Sequence, residues 1–423
     1  MKSLRAAAVL FATAMALQCA AAQTNGTSAQ LERVVIVERH GVRPPTKTPE
    51  EIAKFSEQPW PQWSAKPGEL TEHGAAAMRL MGGALKNLYK EEHLLAGRGC
   101  PSGVFVWSDS ADQRTRASGD ALLQGMGCDA PSAHLAAGET DPLIDPIEAG
   151  LCPLDPAKGL AAIQARLPVV IAPNRKLYEK ARTAMQSVLT PGGCGHPGQR
   201  ACLIGEGADM PIIKNGEPRL DGPLANASGL AENLLLEYAE GKPLSEVGWG
   251  RAAGKLDTLL ALHNLYADVM RRDSYFASRR GSLLAQQVLD LLNDRPSTFQ
   301  GAAPVPQDAK VVVFLGHDTN LSNMSGFLDT AWALKGQPDH TAPGTAIAFE
   351  KWRKANGAVF VKVRVLYQTL EQTRKLTPIA VPNWLTLPVC KGGQCSLGAL
   401  NARMAKTIAQ DCLKTVPAAA ATP

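Results

Sequence analysis

Two apolar runs, separated by nearly the whole chain, each end in a histidine flanked by charged residues. The first run, Val34-Val35-Ile36-Val37, leads into RHGVRPPTK at 39–47, and the second, Val311 to Leu315, leads into GHDTN at 316–320. Short, continuously apolar, β-branched segments are typical of strands buried on both faces. Ligands of open α/β sheets bind beyond the carboxyl ends of the strands, so we expect the two tips to meet at one site.

The first tip is suited to phosphate chemistry. Arg39 and Arg43 can clamp phosphate oxygens by paired hydrogen bonds, and their charges disfavour a protonated imidazole at His40. A neutral His40 can attack phosphorus and form a phosphohistidine. An isolated histidine at a strand end is usually a satisfied core residue, but a core histidine does not need two arginines within three positions.

The second tip supplies the remaining groups. His317 is predicted to donate a hydrogen bond to the same phosphate, and Asp318 to protonate the leaving alcohol as a general acid. Asp318 could also cap a helix that starts at Thr319, and the two roles are compatible. A further predicted helix opens in Asp112-Gln-Arg-Thr-Arg116, which places Arg114 near its N-terminal end.

Composition and charge narrow the class of protein. The chain has 423 residues, of which 45% are hydrophobic and 20% charged, as expected for a globular protein of one large or two ordinary domains. The formal net charge of +5 falls to +3 without residues 1–22, because Lys2 and Arg5 leave and no acidic residue does. With so small a charge and no long basic run, nucleic acid is not an expected partner.

The first 22 residues have the three parts of a secretory signal peptide. These are a basic start, an apolar stretch and a small-residue cleavage site before Gln23, formed by Lys2 and Arg5, by Ala6 to Leu17 and by Ala20-Ala21-Ala22. A buried first helix is the less favoured alternative. No other apolar stretch reaches the ~18–20 residues of a membrane-spanning helix, so we expect an exported protein without a membrane span.

Nine cysteines are present, and loss of Cys19 with the signal peptide leaves eight. An even number in an exported chain favours disulfides over free thiols. Eight cysteines allow 105 pairings, and short glycine-rich spacing makes only Cys194–Cys202 and Cys390–Cys395 locally plausible. Zinc binding is the competing interpretation, but no Cys-x-x-Cys or His-x-x-x-His spacing supports it.

The middle of the chain differs from its two ends. Helical spacing dominates residues 151–275, with helices predicted over 157–167, 177–189, 227–240 and 255–271, and strand signals there are scarce. Residues 23–150 and 276–423 contain both strand and helix patterns. The sequence therefore predicts an α/β domain made of the two outer segments, with a mostly α domain inserted between them.

Taken together, RHGVRPPTK and GHDTN resemble the motifs of the histidine acid phosphatases, the acid branch of the histidine phosphatases. DQRTR at 112–116, GWGR at 248–251 and GQPDHTAPG at 336–344 occur in the expected order and are similar to segments of the periplasmic phytases of that family. The resemblance covers most of the mature chain. It implies a central mixed six-stranded sheet flanked by helices, an inserted α domain, and a substrate lying between the two domains.

The resemblance also implies roles for individual residues. His40 would be the nucleophile and Asp318 the general acid, with the phosphate held by Arg39, Arg43, Arg114 and His317. Thr46 and Lys47 would face the outer part of the substrate. Glu232 would reach the pocket from the inserted domain, unless it is simply a surface glutamate. The implied disulfides are Cys100–Cys128, Cys152–Cys412, Cys194–Cys202 and Cys390–Cys395.

The function implied is hydrolysis of a phosphomonoester in a bacterial periplasm, by a monomer without cofactor or metal. A phytase acting on inositol hexakisphosphate is favoured, because HDTN and VRPPTK have the form seen in phytases whereas sugar phosphatases tend to HDSN. A glucose-1-phosphatase or a broad-specificity acid phosphatase is the alternative. A metal site at His40, His317 and Asp318 is disfavoured because three arginines would repel the cation. A non-catalytic phosphate-ester-binding protein is a remote alternative, and it would not need His40 or Asp318.

Overall fold

A computed structural model describes residues 29–379 and 383–414; the predicted signal peptide lies outside these ranges. The elements in chain order are β1 (Ala29–Arg39), α1 (Pro49–Ile52), α2 (Glu72–Glu91), β2 (Val104–Ser108), α3 (Gln113–Gly125), β3 (His134–Leu135), α4 (Pro156–Leu189), β4 (Met210–Lys214), β5 (Glu217–Asp221), α5 (Pro223–Ala239), α6 (Leu256–Met270), α7 (Ser274–Leu292), β6 (Val311–Gly316), α8 (Asp318–Leu328), β7 (Ala346–Lys354), β8 (Val359–Leu366), α9 (Leu370–Lys375), β9 (Asn383–Trp384), β10 (Cys395–Ser396) and α10 (Leu397–Ala405).

Within the described residues, the central sheet is mixed and has eight strands. Their order is β10-β8-β7-β1-β6-β2-β3, and β9 also pairs with β8. The strands β1, β6, β2 and β3 are mutually parallel, while β7 to β10 pair in antiparallel fashion. The predicted α/β class is confirmed. The expected count of six strands is too low, because β3, β9 and β10 have two residues each and carry no periodic signal of their own.

Both faces of the sheet are covered, which explains the continuous apolar runs. On β1, Val35 and Val37 belong to one buried cluster with residues of α7 and α8, whereas Val34 and Ile36 belong to another with residues of α2 and α3. Strands covered on both faces have no polar side to alternate with. The continuous apolar runs of β1 and β6 therefore agree with their position at the centre of the sheet, where both faces are covered.

The middle segment forms a third buried cluster, made mainly by α4, α5 and α6. α4 is one continuous helix, so the prediction of two helices there was wrong. Pro168 and Pro173 lie inside it at exposed positions, where water can reach the carbonyl groups that a proline leaves unpaired. The same segment contains a β4–β5 hairpin that the sequence interpretation missed. The domain boundaries at 150 and 275 stay predictions.

Four disulfides tie the fold together, and they pair the cysteines as the resemblance implied. They are Cys100–Cys128, Cys152–Cys412, Cys194–Cys202 and Cys390–Cys395. Among the helices of the described ranges, none is long and apolar enough to cross a membrane.

Candidate active site

The ends of three neighbouring parallel strands form the floor of the site. β6 lies between β1 and β2, with Arg39 opposite Gly316 and Ser108 opposite Leu315. The ladder continues past the strands, since the backbone N–H of His40 donates to the carbonyl of Gly316 at 3.0 Å. The two motifs therefore meet at one edge of the sheet although they lie nearly the whole chain apart.

Two glycines let the loop after β1 lie directly against α2. A Cβ atom at Gly74 would be 2.2 Å from the carbonyl oxygen of Val42, and one at Gly41 would be 2.9 Å from the carbonyl oxygen of Gly74. Thr71 caps α2, and its backbone N–H donates to the same Val42 carbonyl at 3.1 Å. Backbone packs on backbone here, so the loop that carries His40 has little freedom to move.

His40 is buried, and one hydrogen bond defines its reactive nitrogen. Nδ1 lies 2.8 Å from the carbonyl oxygen of Gly41. A carbonyl oxygen can only accept, so Nδ1 carries the proton and Nε2 keeps its lone pair. Burial, reinforced by Arg39 and Arg43, holds the pKa of His40 well below its ordinary value of 6.5. The ring is therefore neutral even in mildly acidic solution, with a lone pair on Nε2, and its role as the nucleophile stays a prediction.

The two arginines of the first motif share one carboxylate. Oε1 of Glu232 accepts a hydrogen bond from Nη2 of Arg39 and another, at 3.2 Å, from Nη2 of Arg43. Arg39 is fully buried and also donates to the carbonyl of Thr341 at 2.6 Å, with Asp339 3.5 Å away. Burial would raise the pKa of Glu232, but Arg43 and Arg39 lower it well below its ordinary range. Glu232 is thus paired with both arginines of the first motif, and its contact with a substrate stays a prediction.

Arg114 and His317 approach from the β2 side, and each is bound to an aspartate. Nη2 of Arg114 donates to Oδ2 of Asp112 at 2.5 Å, and Nε2 of His317 lies 2.7 Å from Oδ2 of Asp109. Burial would raise the pKa of Asp109, but the hydrogen bond and charge of His317, the N–H of Ala111 and the charge of Arg114 together lower it. With Nε2 engaged by Asp109, a phosphate contact from His317 requires Nδ1 or a turn of the ring.

Asp318 begins α8 beside His317, and both of its carboxylate oxygens accept. Oδ1 accepts the backbone N–H of Thr319 at 2.8 Å. Oδ2 accepts a hydrogen bond from Nη1 of Arg271 and lies 3.6 Å from Nε2 of His263. Burial would raise the pKa of Asp318, but Arg271, Arg39 and His263 hold it well below 3.8. In the free site Asp318 is therefore an anion.

Three of these side chains have the spacing of a metal site. One ligand-type atom each of Asp109, Asp112 and His317 lies within 4.8 Å of the others. These atoms are already engaged, because Asp112 is paired with Arg114 and Asp109 with His317. The guanidinium of Arg114 stands beside Asp112 where a cation would have to bind. Independence from metal ions stays a prediction.

A cavity of about 300 Å³ opens above the strand ends. The residues of the two motifs and of α3 that line it are His40, Arg43, Arg114, His317, Asp318, Thr319 and Asn320. Arg280 of α7, Asp145 and Glu148 also line it. Burial lowers the pKa of Arg280, and its Nε has no hydrogen-bond partner within the described ranges. The cavity thus holds a second cationic group beyond those next to His40.

Thr46 and Lys47 lie outside this cavity. Both side chains are exposed, and Lys47 lines a neighbouring cavity of about 170 Å³ whose other walls include Trp60, Trp63 and Glu237. The contact predicted between these two residues and the outer part of a substrate is therefore not made by the walls around His40. It stays a prediction.

Sequence reasoning missed four residues of the site. No role at the site had been given to Asp109, to His263 of α6, to Arg271, which follows α6, or to Arg280 of α7. Asp109 could have been found, because it follows the end of β2 just as His40 follows β1. The other three depend on how the middle helices pack against the strand ends, and no local pattern marks them.

A neutral imidazole beside several guanidinium groups at the carboxyl edge of a mixed sheet defines a site for phosphoryl groups. The chain belongs to the histidine phosphatase superfamily (branch 2), whose family model matches residues 30–144 and 230–368.

Relatives within this family are bacterial enzymes. The chain is 34% identical to "Phytase AppA" of Escherichia coli (strain K12), over 87% of this chain and 90% of that protein. It is 28% identical to a glucose-1-phosphatase of Providencia rettgeri, over 92% and 95%. The solved structure of Hafnia alvei phytase in complex with myo-inositol hexakis sulphate superposes with a TM-score of 0.80 at 33% identity, covering 92% of this chain and 99% of that chain.

Proposed function

We propose that the protein is an exported phosphatase that hydrolyses phosphomonoesters through a phosphohistidine on His40. The observation that carries the proposal is the Nδ1–Gly41 hydrogen bond at 2.8 Å, because it leaves the Nε2 lone pair free among phosphate-binding cations. Arg39, Arg43 and Arg114 can hold the three outer oxygens, which carry the charge of the transferring phosphoryl group. No metal or cofactor is needed to neutralise that charge.

The reaction has two steps. In the first, Nε2 of His40 forms a bond to phosphorus as the bond to the ester oxygen breaks, and Asp318 gives a proton to that oxygen so that an alcohol departs. In the second, water attacks the phosphohistidine while the Asp318 carboxylate takes up its proton. Inorganic phosphate leaves, and His40 and Asp318 regain their starting forms.

The proposed substrate is inositol hexakisphosphate. A ligand with six phosphates leaves five outside the catalytic clamp, and the positive side chain of Arg280 lines the same cavity as His40. The greater identity to the phytase, 34% against 28% for the glucose-1-phosphatase, supports this preference. A sugar monophosphate has no second anion to use Arg280. The glucose-1-phosphatase relative, matched over 92% of this chain, favours glucose 1-phosphate as the alternative substrate.

Comparing kcat/KM for phytate and for glucose 1-phosphate tests the substrate. We expect a clear preference for phytate that weakens with added salt, because contacts to the outer phosphates act through charge. Arg280→Gln should lower the ratio of kcat/KM for phytate to that for glucose 1-phosphate. Lys47→Ala should lower this ratio as well, because Lys47 is proposed to meet an outer phosphate. Arg279→Gln is the matched control, since Arg279 points to Asp411 and not into the cavity. Equal or better turnover of glucose 1-phosphate would reject the phytase proposal and leave the phosphatase proposal standing.

We further propose a periplasmic monomer. The four disulfides, which an oxidising compartment favours, support export. Protein purified from a bacterial periplasmic fraction should begin at Gln23, contain no titratable thiol and elute as a single chain in size-exclusion chromatography. An intact N-terminus or free thiols would contradict export, and elution as a dimer would contradict the monomer.

A further inference from the structure

The residue that must donate a proton in the proposed reaction has none to give in the free site. Both oxygens of Asp318 accept, Oδ1 from the N–H of Thr319 and Oδ2 from Arg271. A general acid must instead carry a proton on one of these oxygens when the ester bond breaks. The surroundings of Asp318 therefore decide at which pH it can act.

The charges that act most strongly on Asp318 are positive. Arg271 follows the last residue of α6 and Arg39 ends β1, the titratable ring of His263 faces Asp318 from the middle of α6, and Glu232 of α5 is a like charge. The cavity is also lined by Arg43, Arg114, Arg280 and His317 and by five carboxyl groups, Asp109, Asp112, Asp141, Asp145 and Glu148. Arg271 is the nearest of all, because its guanidinium makes a direct hydrogen bond to Oδ2.

Arg271 differs from the phosphate-binding arginines in its position. It follows the last residue of α6 and is not among the residues that line the cavity around His40. Its guanidinium also lies 5.7 Å from the ring centre of Tyr266, and 19% of its side chain is exposed. It therefore reaches Asp318 from outside the space that a substrate would fill, and it acts on the reaction through Asp318.

We infer that Arg271 is a positioning residue that sets, through its ion pair with Asp318, the upper pH limit for protonation of the leaving group. The inference rests on the proposed phosphatase function. The ion pair stabilises the carboxylate, so at a given pH it lowers the fraction of Asp318 that carries the proton needed at the start of the first step. The carboxylate that the pair stabilises is the form that Asp318 needs at the start of the second step, when water attacks. An enzyme with this ion pair therefore needs a more acidic solution than one without it to reach full activity on esters with poor leaving groups.

The test compares the wild type with Arg271→Gln on an alkyl phosphate over a range of pH. Removing an opposite charge at contact distance raises a carboxyl pKa by about 1–3 units, so the basic limb of kcat/KM should move up by one unit or more. Each unit corresponds to about a tenfold gain in kcat/KM at pH values above the limb. With 4-nitrophenyl phosphate, whose leaving group needs no proton, the limb should move little.

Arg272→Gln is the matched control, because it removes the same charge one residue further along. Arg272 pairs with Asp268 and not with Asp318, so its loss should leave the limb in place. Arg271→Lys keeps the charge and should keep most of the wild-type profile. An unmoved limb in Arg271→Gln, or an equal shift in Arg272→Gln, would overturn the inference.

A second readout does not depend on turnover. In protein labelled with 13C at aspartate carboxyl groups, the signal absent from Asp318→Asn identifies Asp318. Between pH 3.5 and 6, roughly the range around an ordinary aspartate, this signal should stay constant in the wild type and titrate in Arg271→Gln. Titration of both alike would overturn the inference. If the wild type hydrolyses no ester, the proposed function fails, and the titration still decides whether Arg271 sets the charge of Asp318.

Discussion

At the scale of single residues, catalysis depends on which atoms already have partners. The hydrogen bond from Nδ1 of His40 to Gly41 leaves one nitrogen able to attack. Arg39 and Arg43 are both bound to Glu232, so a phosphate entering the clamp must share these donors with a carboxylate. The free site is thus held together by the charges that a substrate would use.

Replacing Asp318 by asparagine tests its role as the acid. The side-chain amide of Asp318→Asn would keep an acceptor oxygen near Arg271 but could not give up a proton to a departing alkoxide. We expect hydrolysis of alkyl phosphates to slow by about 10²–10⁴-fold, the usual contribution of a general acid. Aryl phosphates with good leaving groups should slow far less. Equal slowing of both substrates, measured as kcat/KM, would assign Asp318 a structural role instead.

At the scale of elements, the position of His40 depends on the close contact between its loop and α2. Gly74→Ala would place a Cβ atom 2.2 Å from the carbonyl oxygen of Val42. The loop or the helix must move, and we expect a loss of about 1–3 kcal/mol in the free energy of unfolding, as for an overpacked core. The kcat of the folded enzyme should fall as well. Denaturant titration and initial rates at matched fractions of folded protein measure the two effects.

Gly83→Ala on the same helix is the control. A Cβ atom there would meet only the carbonyl oxygen of Gly125 at 3.6 Å, an ordinary contact. Because alanine favours a helix over glycine by about 0.8–1 kcal/mol, this variant should be slightly more stable and fully active. Normal stability and activity of Gly74→Ala would contradict the proposed importance of the contact.

The sequence predicted those elements whose local pattern agrees with their environment. β1 and β6 were recognisable because both of their faces are covered. β7 was missed because it contains Glu350 and Lys351, which are buried; Glu350 is paired with Arg364 of β8 at 2.6 Å. The β4–β5 hairpin had a usable signal, since Asn215-Gly216 lies between the two strands with both residues at positive φ, the turn that such hairpins prefer.

Within the site, the residues that directly follow strand ends were predictable from the sequence, and those in or next to α6 and α7 were not. His40, Arg43, His317 and Asp318 follow directly from two strand ends that a parallel sheet must bring together. Arg271 follows α6 and Arg280 lies in α7, and the positions of their side chains depend on how these two helices pack against the strand ends. That packing leaves no local pattern in the sequence. The charge state of Asp318 could not be predicted either, because it depends on Arg271.

At the scale of the whole molecule, the buried carboxyl group of Glu237 gives the fold a stability that falls as the pH rises. Burial raises the pKa of Glu237 to about 8 from an ordinary 4.5, and its Oε1 has no partner among the described residues. When a carboxyl pKa is higher in the folded than in the unfolded protein, the group stabilises the folded state fully at pH values below its unfolded pKa. This stabilisation is lost as the pH rises from about 4.5 to about 8, which lowers the free energy of unfolding by something on the order of 4 kcal/mol.

Glu237→Gln should remove much of this pH dependence. The amide can still accept the hydrogen bond from the backbone N–H of Gly248, but it stays neutral. We expect a higher free energy of unfolding than the wild type at pH 8 and a similar one at pH 4.5. Part of the slope will remain, since burial also raises the pKa of Asp141 to about 6. Glu91→Gln, at an exposed position, should behave as the wild type does. An unchanged slope in Glu237→Gln would refute this explanation.

The central claim is that His40 becomes phosphorylated. Rapid quenching of the enzyme with 32P-labelled substrate should trap a protein-bound label that is lost in acid and kept in base, as phosphohistidine behaves. The label should be present in wild type and in His196→Ala, which alters an exposed histidine, and absent in His40→Ala together with turnover. Label or turnover that persists in His40→Ala would contradict the account.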